Sequence, residues 1–437
     1  MVGIVGLILA VVAVVILIWK NWHMAIVFLI GSLIVILFNM MNPVTVISET
    51  FMGGMKDFAG SWFLLFMLGS IFGKIMGDSG ASAGIANHLL GILGEKYVVL
   101  IIMLTGLVLS YGGIATFVIA FSLYPIAVAL FKKADIPKAL IVASIMTTPV
   151  TVCMTMAPGS PSSQNLVPTT YFGTTFFAGP VIGITCSIIM FIAAYLYLGR
   201  QIKKAKLRGE HFVPTEGEVI MDLNSTENRQ TLVIWKCYMP IAVLLVIMFG
   251  LQKMTKIPSA FIVACAMTAA VIAGLALYKK RLNVYEVMNG GAGNGLGSLI
   301  SVAAIMGFGS VVSSSPAYEK IVNGLLNMNI GPLGMALISI NVIAAITGSS
   351  IGGLNIFLAS MGEYLAATGL NLSMLHRVVC IASSGFDAMP HSSGIIVCNQ
   401  VAKTSQKDTY KHVFITCCVM PFCCAVLAAV MGAFGVV

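Results

Sequence analysis

Charged residues are scarce in this sequence. Asp, Glu, Lys and Arg make up 9% of the 437 residues, whereas 59% are hydrophobic and the mean hydropathy is +1.00. Soluble domains carry about a quarter charged residues, so this composition excludes an ordinary soluble protein. Apolar runs at 3–19, 25–38 and 184–199 are typical of membrane spans, and lipid permits only segments whose backbone groups pair internally. The sequence therefore predicts an all-α polytopic membrane protein.

Motifs for metal binding and hydrolysis are missing too. The sequence has no HExxH, and its ten cysteines lie mostly inside apolar segments without CxxC spacing. We interpret the cysteines as small hydrophobic residues. We expect no metal site, no catalytic residues and no cofactor.

The first apolar run, 3–19, lacks the features of a signal peptide. No basic residues precede it and no small-residue cleavage site follows it, so we expect a retained helix. The net charge of +9 lies mostly beside apolar runs. There it sets membrane orientation rather than indicating a nucleic-acid partner.

The two halves of the chain resemble each other. The polar stretch 200–230 separates them, and an offset of 236 residues places 72–90 over 308–326 without a gap, with eight identities in nineteen positions. Weak internal symmetry of this kind is typical of transporters built from inverted repeats. We predict a first transmembrane repeat at 1–201, a basic and polar cytoplasmic linker at 202–232, and a second transmembrane repeat at 233–437.

Each half is predicted to hold about five spanning helices and one apolar segment broken by glycines. The glycine-broken segments, 97–131 and 333–367, are either re-entrant hairpins or pairs of full spans. We favour hairpins, because the glycines make poor helix but a good turn at mid-membrane. The predicted spans are 3–19, 24–40, 61–77, 138–166 and 173–199 in the first half and 237–252, 258–276, 297–313, 374–401 and 412–435 in the second, with short amphipathic stretches at 81–94 and 317–329.

Positive charge predicts the orientation. If the second half is inverted, most Lys and Arg residues, including the basic stretch 200–208, fall on one side of the membrane. Cytoplasmic loops are enriched in these residues, so we expect the linker inside and both termini outside. The positive residues expected to face outward are Lys56, Lys253, Lys256, Lys320 and Arg377.

Four polar interruptions at membrane depth form the candidate binding site. We name YGGIAT (111–116) the first tip, TGSSIGG (347–353) the second tip, MAPGSPSSQN (156–165) the first break, and SSGFDAMPHSSG (383–394) the second break. Irregular backbone is tolerated there only when it is buried in protein or lines a cavity, and helix ends with hydroxyls suit a carboxylate or polyol. Close packing of small residues is the alternative explanation. The candidate substrate-binding residues are Gly112, Gly113, Thr116, Ser160, Ser162, Thr347, Gly348, Ser349, Ser350, His391 and Ser392.

Asp387 and His391 are the candidate ion-coupling residues. A mid-membrane Asp costs about 2.5 to 3.5 kcal/mol on insertion scales and usually faces a functional cavity. A carboxylate can bind Na⁺ or accept a proton, and imidazole titrates near neutral pH. The alternative is a structural role at a helix end in the headgroup region. The offset places Thr151 opposite Asp387 and Thr155 opposite His391, so ion coupling is predicted mainly in the second half.

Several segments carry a family resemblance. They are GSIFGKIMGDSGASAGIA, GGIATFVIAFSLYPIAVALF, APGSP and SSGFDAMPHSSGIIV. In this order they resemble motifs of the gluconate:proton symporter family of the ion-transporter superfamily, and the last is similar to the SGG-x-D-x-x-PH-x-G motif of 3-hydroxybutyrate permease-like members. The resemblance covers nearly the whole chain and implies an organic-anion permease with inverted repeats, re-entrant hairpins and a homodimer. Ile119 stands where gluconate permeases tend to carry an acidic residue, which disfavours gluconate itself.

The sequence thus predicts an importer of a small organic anion in the bacterial inner membrane. The expected substrate is a short hydroxy-carboxylate such as 3-hydroxybutyrate, or a sugar acid. Cation symport by elevator-like alternating access is expected, with a proton as the favoured ion and Na⁺ as the alternative. The rival hypotheses are an anion channel and an intramembrane hydrolase that uses Asp387 and His391, for which no second acid lies at useful spacing.

Overall fold

Helices make up almost all of the described chain. The computed structural model describes residues 2–20, 22–111, 116–160, 162–215, 232–254, 259–326, 328 and 330–437. It is 82% helix, without a strand in these residues. The all-α prediction is confirmed, as is the multi-pass character, because six described helical stretches are long and apolar enough to cross a membrane. These are Val2–Trp19, Pro43–Asp78, Lys138–Met156, Pro180–Leu207, Val284–Ser313 and Gln406–Ala433.

The helices of the two halves follow the same order. The first half contains α1 (Val2–Trp19), α2 (Met24–Phe38), α3 (Pro43–Thr45), α4 (Met52–Asp78), α5 (Ala81–Leu93), α6 (Val98–Tyr111), α7 (Thr116–Lys133), α8 (Ile141–Thr147), α9 (Ser163–Phe172) and α10 (Pro180–Leu207). The second half contains α11 (Ile234–Met254), α12 (Ser259–Tyr278), α13 (Val284–Ser313), α14 (Pro316–Leu326), α15 (Pro332–Thr347), α16 (Ser350–Ala367), α17 (Leu372–Ala382), α18 (Ser393–Val401), α19 (Gln406–Phe414) and α20 (Met420–Ala433). Turns of π-helix at Val46–Phe51, Thr148–Met156 and Ile415–Val419 join α3 to α4, follow α8, and join α19 to α20.

Two serines show how the halves correspond in detail. Ser79 and Ser315 differ by the offset of 236 and each ends the long helix of its half. Each hydroxyl donates to the carbonyl three residues earlier, that of Met76 (3.5 Å) or Val312 (2.7 Å). Each also accepts an N–H from the start of the next helix, α5 or α14. A serine hydroxyl therefore stabilises the equivalent turn between two helices in each half.

The long helices begin earlier than the sequence predicted. The span predicted at 61–77 continues back to Pro43 as a 36-residue helical stretch, and that predicted at 297–313 begins at Val284. At 1.5 Å per residue these stretches are about 54 and 45 Å long, well beyond about 30 Å of hydrocarbon. Some glycines of these added segments, Gly54, Gly291 and Gly295, pack against the other long helix.

Glycines bring α4 and α13 into close contact. A Cβ on Gly295 would lie 2.6 Å from the carbonyl oxygen of Phe66, one on Gly291 would lie 2.7 Å from the Cα of Ile71, and one on Gly307 would lie 2.7 Å from the carbonyl oxygen of Phe51. The partner number falls as the α13 number rises, so the helices run antiparallel. Equivalent helices of inverted halves are expected to do so.

The tips and breaks are carried by helices that pack beside this pair. An apolar cluster joins Phe58 and Phe66 of α4, Leu299 of α13, Phe121 of α7 and Val397 of α18. The rings of Phe66 and Phe121 meet edge to face at 6.0 Å between centroids. The interface between the long helices and the candidate site is therefore largely apolar.

The second glycine-broken segment has the helix, turn, helix form that the sequence suggested. α15 and α16 pack against each other and reverse direction at Gly348, whose φ is +63°. Their 16 and 18 residues correspond to about 24 and 27 Å, intermediate between a half and a full crossing. The choice between a re-entrant hairpin and two full spans stays a prediction.

Candidate functional site

The second tip is a tight turn that lies against the second break. Gly348 adopts a left-handed conformation and its N–H bonds the carbonyl of Ala344. Ser349 then caps α16, accepting the N–H of Gly352 at 3.2 Å. A Cβ on Gly348 would lie 2.9 Å from Cδ2 of His391, so both the conformation and the neighbour require glycine.

His391 is held by the second tip. Its side chain is buried, and Nε2 lies 3.1 Å from the carbonyl oxygen of Ile346. Because a carbonyl only accepts, Nε2 carries a proton in this contact. Nδ1 is buried and has no hydrogen-bond partner among the described residues. The neighbouring Pro390 carbonyl accepts from Nε2 of Gln406 at 2.6 Å, which fixes the turn from the other side.

Asp387 lies at the junction of the two halves. Its side chain is 6% exposed, and one carboxylate oxygen, Oδ1, has no hydrogen-bond partner among the described residues. The carboxylate interacts with the hydroxyl of Ser350 in the second tip. That hydroxyl in turn accepts from Nε2 of Gln164, on α9 of the first half, at 2.8 Å. The Gln164 amide, the Ser350 hydroxyl and the Asp387 carboxylate therefore lie next to one another.

The first break is joined to the first tip through Met154. Ser162 donates to the carbonyl of Met154 at 2.6 Å and caps α9 by accepting the N–H of Asn165. Thr116, the end of the first tip, donates to the sulfur of Met154 at 3.2 Å. Ser160 is buried, and its carbonyl accepts from the Asn165 amide at 2.8 Å. Gly112 and Gly113 lie outside the described residues.

The breaks occur at different positions in the two halves. The offset aligned 147–159 with 383–395, but the first half remains helical to Met156, through a π-helix that accommodates Pro149. Thr151 and Thr155 donate to carbonyls four residues earlier, and Thr155 also donates to Ser384 of the second break at 3.0 Å. In the second half the chain is non-helical from 383 to 392, so Asp387 and His391 do not share a helix face.

The remaining predicted residues have local roles. Thr347 donates to the carbonyl of Ile343 within its own helix at 2.9 Å, and Ser392 precedes α18 without a side-chain capping bond. Sequence reasoning named neither Gln164 nor Asn341. Asn341 is a lone buried amide in the apolar helix α15, with Oδ1 unpartnered among the described residues and packed against Gly385. An isolated amide in a membrane helix was the available signal.

Arg377 corrects an expectation. Counted with the positive residues on the outer side of the membrane, it lies in α17 and is fully buried, so it is not a solvent-exposed charge; its side of the membrane stays a prediction. Its guanidinium donates to the backbone carbonyls of Ala178 at 2.9 Å and Phe176 at 3.1 Å. The adjacent His376 contacts Thr174 and Asn165, so α17 of the second half holds the segment behind the first break.

One cavity lies away from the predicted site residues. That cavity, of about 550 Å³, opens beside the start of α4 and is bordered by Glu49, Lys56 and Ile300 among others. None of the predicted site residues borders it. In the described residues no group of three or more His, Cys, Asp and Glu could hold a metal ion. The described part of the site offers a carboxylate, an imidazole, amides and hydroxyls.

Comparison with known families assigns the chain to one of them. The family model described as CitMHS, citrate transporter, matches residues 14–382, which include all of the described helices from α2 to α16. The chain belongs to the citrate transporter family. It is a secondary transporter with many membrane helices, and its family and relatives are transporters rather than enzymes.

Individual proteins are also similar to this chain. The chain is 29% identical over 402 residues to the uncharacterized transporter YxjC of Bacillus subtilis (strain 168), covering 84% of this chain and 85% of that protein. It is 33% identical over 90 residues, 20% of each chain, to the high-affinity gluconate transporter of Escherichia coli (strain K12). The Alcanivorax borkumensis YdaH transporter, solved by crystallography and described as having an unusual topology, aligns over 95% of this chain and 99% of that one with a TM-score of 0.45 and 16% identity.

Proposed function

We propose that this member of the citrate transporter family imports a small hydroxy-carboxylate by cation symport. The class includes citrate and 3-hydroxybutyrate; the second tip and the DAMPHSSG motif favour a short hydroxy acid, with a sugar acid as the alternative. Substrate would bind between the tips and breaks of the two halves. The coupling ion would bind at Asp387, with His391 beside it.

One observation carries the proposal. Asp387 is a buried carboxylate beside the Ser350 hydroxyl, which accepts a hydrogen bond from Gln164, so the second break, the second tip and the first half come together near one acidic group. A buried charge of this kind without a basic partner is costly in a membrane protein and is usually retained for transport. A bound coupling ion would supply the positive charge that compensates the Asp387 carboxylate. Binding of the ion would then depend on how the two halves meet at Asp387.

The chemistry of the unpartnered atoms suits a proton or Na⁺. Oδ1 of Asp387 and Oε1 of Gln164 are both buried acceptors without a hydrogen-bond partner among the described residues. A proton on the carboxylate would neutralise its charge, and Na⁺ would be held by the same oxygens, since oxygen ligands suit hard cations. We take the proton as the coupling ion and Na⁺ as the alternative.

Uptake into proteoliposomes tests the proposal. Purified protein is reconstituted, and uptake of radiolabelled citrate and 3-hydroxybutyrate is measured with an imposed proton gradient or an imposed Na⁺ gradient. We expect saturable uptake that one gradient drives. In Asp387→Asn that gradient should no longer accelerate uptake, because an amide neither accepts the proton nor carries the charge that holds Na⁺.

Asp78→Asn is the matched control. Asp78 is also an acid at a helix end, but it is 37% exposed and paired with Lys74 at 2.9 Å. Its neutralisation should leave the gradient dependence intact. Uptake of either carboxylate that neither gradient affects would reject symport, and a conductance that does not saturate with anion concentration would establish the channel instead.

The orientation and assembly belong to the same proposal. We infer a location in the bacterial cytoplasmic membrane with the linker inside, both termini outside and a homodimeric assembly. The bacterial relatives and the distribution of Lys and Arg support the location and orientation. Labelling of a single cysteine introduced near each terminus by an impermeant maleimide in intact cells checks the orientation.

A further inference from the structure

The guanidinium of Arg377 is a buried positive charge inside the bundle. Three of its five N–H groups donate to backbone carbonyls, those of Ala178, Phe176 and Thr155, the last at 3.4 Å. No ion pair of Arg377 is found among the described residues. A buried charge without an acid beside it is strongly unfavourable unless other dipoles compensate it. Here the compensation comes from carbonyl groups.

One of those carbonyls, that of Thr155, lies at the negative end of a helix, whereas Phe176 and Ala178 belong to the loop before α10. Thr155 is in the last turn of the π-helix Thr148–Met156, which ends at the first break. The carbonyl ends of a helix carry partial negative charge, which would repel a carboxylate placed at the break. A cation bonded to that end removes the repulsion. The close approach of Arg377 is possible because glycine stands at 179 and 183, where a Cβ would lie 2.4 Å from its Cβ and 3.1 Å from its Nε, respectively.

The second break has the opposite electrostatics. α17 ends at Ala382, and the hydroxyls of Ser383 and Ser384 donate back to carbonyls of its last turn at 2.7 and 2.9 Å. Asp387 follows, so an acid is added to a helix end that is already negative. At the offset position of Arg377 the first half has Ile141. One half therefore supplies both charges, the cation to the first break and the anion to the second.

We propose that Arg377 is a positioning residue that makes the first break the end of the site where the substrate's carboxylate lies, opposite the cation at Asp387. This rests on the proposed function. Arg377 does not contact the substrate; its positive charge lies at the helix end that precedes the first break, through the Thr155 carbonyl, and offsets the partial negative charge there. Anion affinity then depends on Arg377, and cation affinity depends on Asp387.

Thermal-shift titrations of the purified full chain separate the two affinities. Citrate and 3-hydroxybutyrate are titrated at fixed cation concentration, and Na⁺ or pH is titrated at fixed citrate. In Arg377→Gln the half-saturating citrate concentration should rise about tenfold, the size expected for a partly buried charge at a helix end, while the cation midpoint stays within about twofold. Arg377→Lys keeps the positive charge but loses the planar guanidinium that bonds several carbonyls at once. It should therefore lower the melting temperature yet keep the half-saturating citrate concentration within about threefold of the wild type.

His376→Gln is the matched control for bracing. His376 holds the same segment through Thr174 at 2.6 Å and Asn165 at 3.1 Å. Its replacement should lower thermal stability without a selective loss of citrate affinity. If His376→Gln and Arg377→Gln weaken citrate equally, or if Arg377→Gln weakens citrate and cation equally, the role of Arg377 is only structural and the inference is wrong.

The remaining outcomes are also decisive. If Arg377→Gln does not fold, Arg377→Lys decides: loss of citrate binding with the cation response retained contradicts the role of the charge. If neither variant folds, Arg377 is a folding residue and the inference is wrong. A wild-type protein that responds to neither carboxylate would refute the proposed function itself, whereas a wild type that binds citrate no better than Arg377→Gln refutes only the inference.

Discussion

At the scale of single residues, the glycines of this chain differ in what they are needed for. Gly348 combines a left-handed backbone with a neighbour, His391, that leaves no room for a Cβ. Gly369 has a similar φ of +76° but has nothing within 4 Å of a Cβ position. The first glycine is therefore tied to the candidate site, whereas the second only completes the turn after α16.

Replacement of these two glycines separates strain from site geometry. A left-handed conformation costs an alanine about 1 to 2 kcal/mol, and both Gly348→Ala and Gly369→Ala should show this cost as a lower melting temperature. Only Gly348→Ala also displaces His391 and should reduce citrate uptake by about tenfold or more. Equal uptake by the two variants would show that the contact with His391 is unimportant.

At the scale of elements, the packing of the long helices α4 and α13 depends on which glycines of α13 face α4. Within the run NGGAGNGLG, Gly291 and Gly295 meet the backbone of α4, whereas Gly293 and Gly297 have nothing within 4 Å of a Cβ position. The spacing of four between the contacting glycines is one helical turn. Small residues at this spacing let helix backbones approach closely in membranes.

Alanine substitutions along this run should have opposite effects. Gly295→Ala places a methyl group against the Phe66 carbonyl, and we expect overpacking of about 1 to 3 kcal/mol and a lower melting temperature. Gly293→Ala meets no neighbour and should be neutral or stabilise by up to about 1 kcal/mol through helix propensity. Thermal unfolding of both variants in detergent checks this. A destabilised Gly293→Ala with a normal Gly295→Ala would mean that the register of the pair is wrong.

At the scale of the whole molecule, the first part of the linker holds the two halves together at one end. Residues 208–215, which we name the strap, reach Asp135 after α7 and Lys403 after α18. Nδ1 of His211 lies 2.6 Å from one carboxylate oxygen of Asp135, and the N–H of Phe212 donates to the other at 2.9 Å. Thr215 donates to the carbonyl of Lys403 at 2.8 Å. The strap therefore contacts the first half and the second half within eight residues.

The strap should contribute stability that depends on pH. The hydrogen bonds from His211 and Phe212, with Lys206 nearby, hold the pKa of Asp135 below its usual value of 3.8. A lowered pKa in the folded state stabilises the fold above pH 3.8, and this contribution disappears as the pH falls through the lowered value. The pair is exposed, so the contribution should be below about 1 kcal/mol.

Asp135→Asn tests this contribution. Asn tolerates the positive φ of 49° at this position, so the backbone should be retained. Its melting temperature should be slightly below that of the wild type at neutral pH, and the difference should shrink as the pH falls below 3.8. The exposed Asp57→Asn should show no such difference. A gap between Asp135→Asn and the wild type that grows as the pH falls would contradict the sign.

Much of the fold could be predicted because the membrane dictates it locally. Lipid requires every backbone group to pair within a helix, so composition alone determined the all-α class, and glycine and proline clusters in apolar segments determined where helices break. The repeat determined which segments correspond. These are properties of short stretches of sequence, and they located the second tip, Asp387 and His391.

The tertiary structure decided which residues meet, because contacts between distant segments leave no local pattern. Gln164 joins Ser350 across 186 residues of sequence, and Arg377 reaches the Thr155 carbonyl across 222, neither with a periodicity that predicts its partner. The early start of the long helices depends on glycines that pack against another helix. The sequence by itself determined a membrane transporter with two related halves; only the packing of those halves decided which polar groups share a site and which charge faces which break.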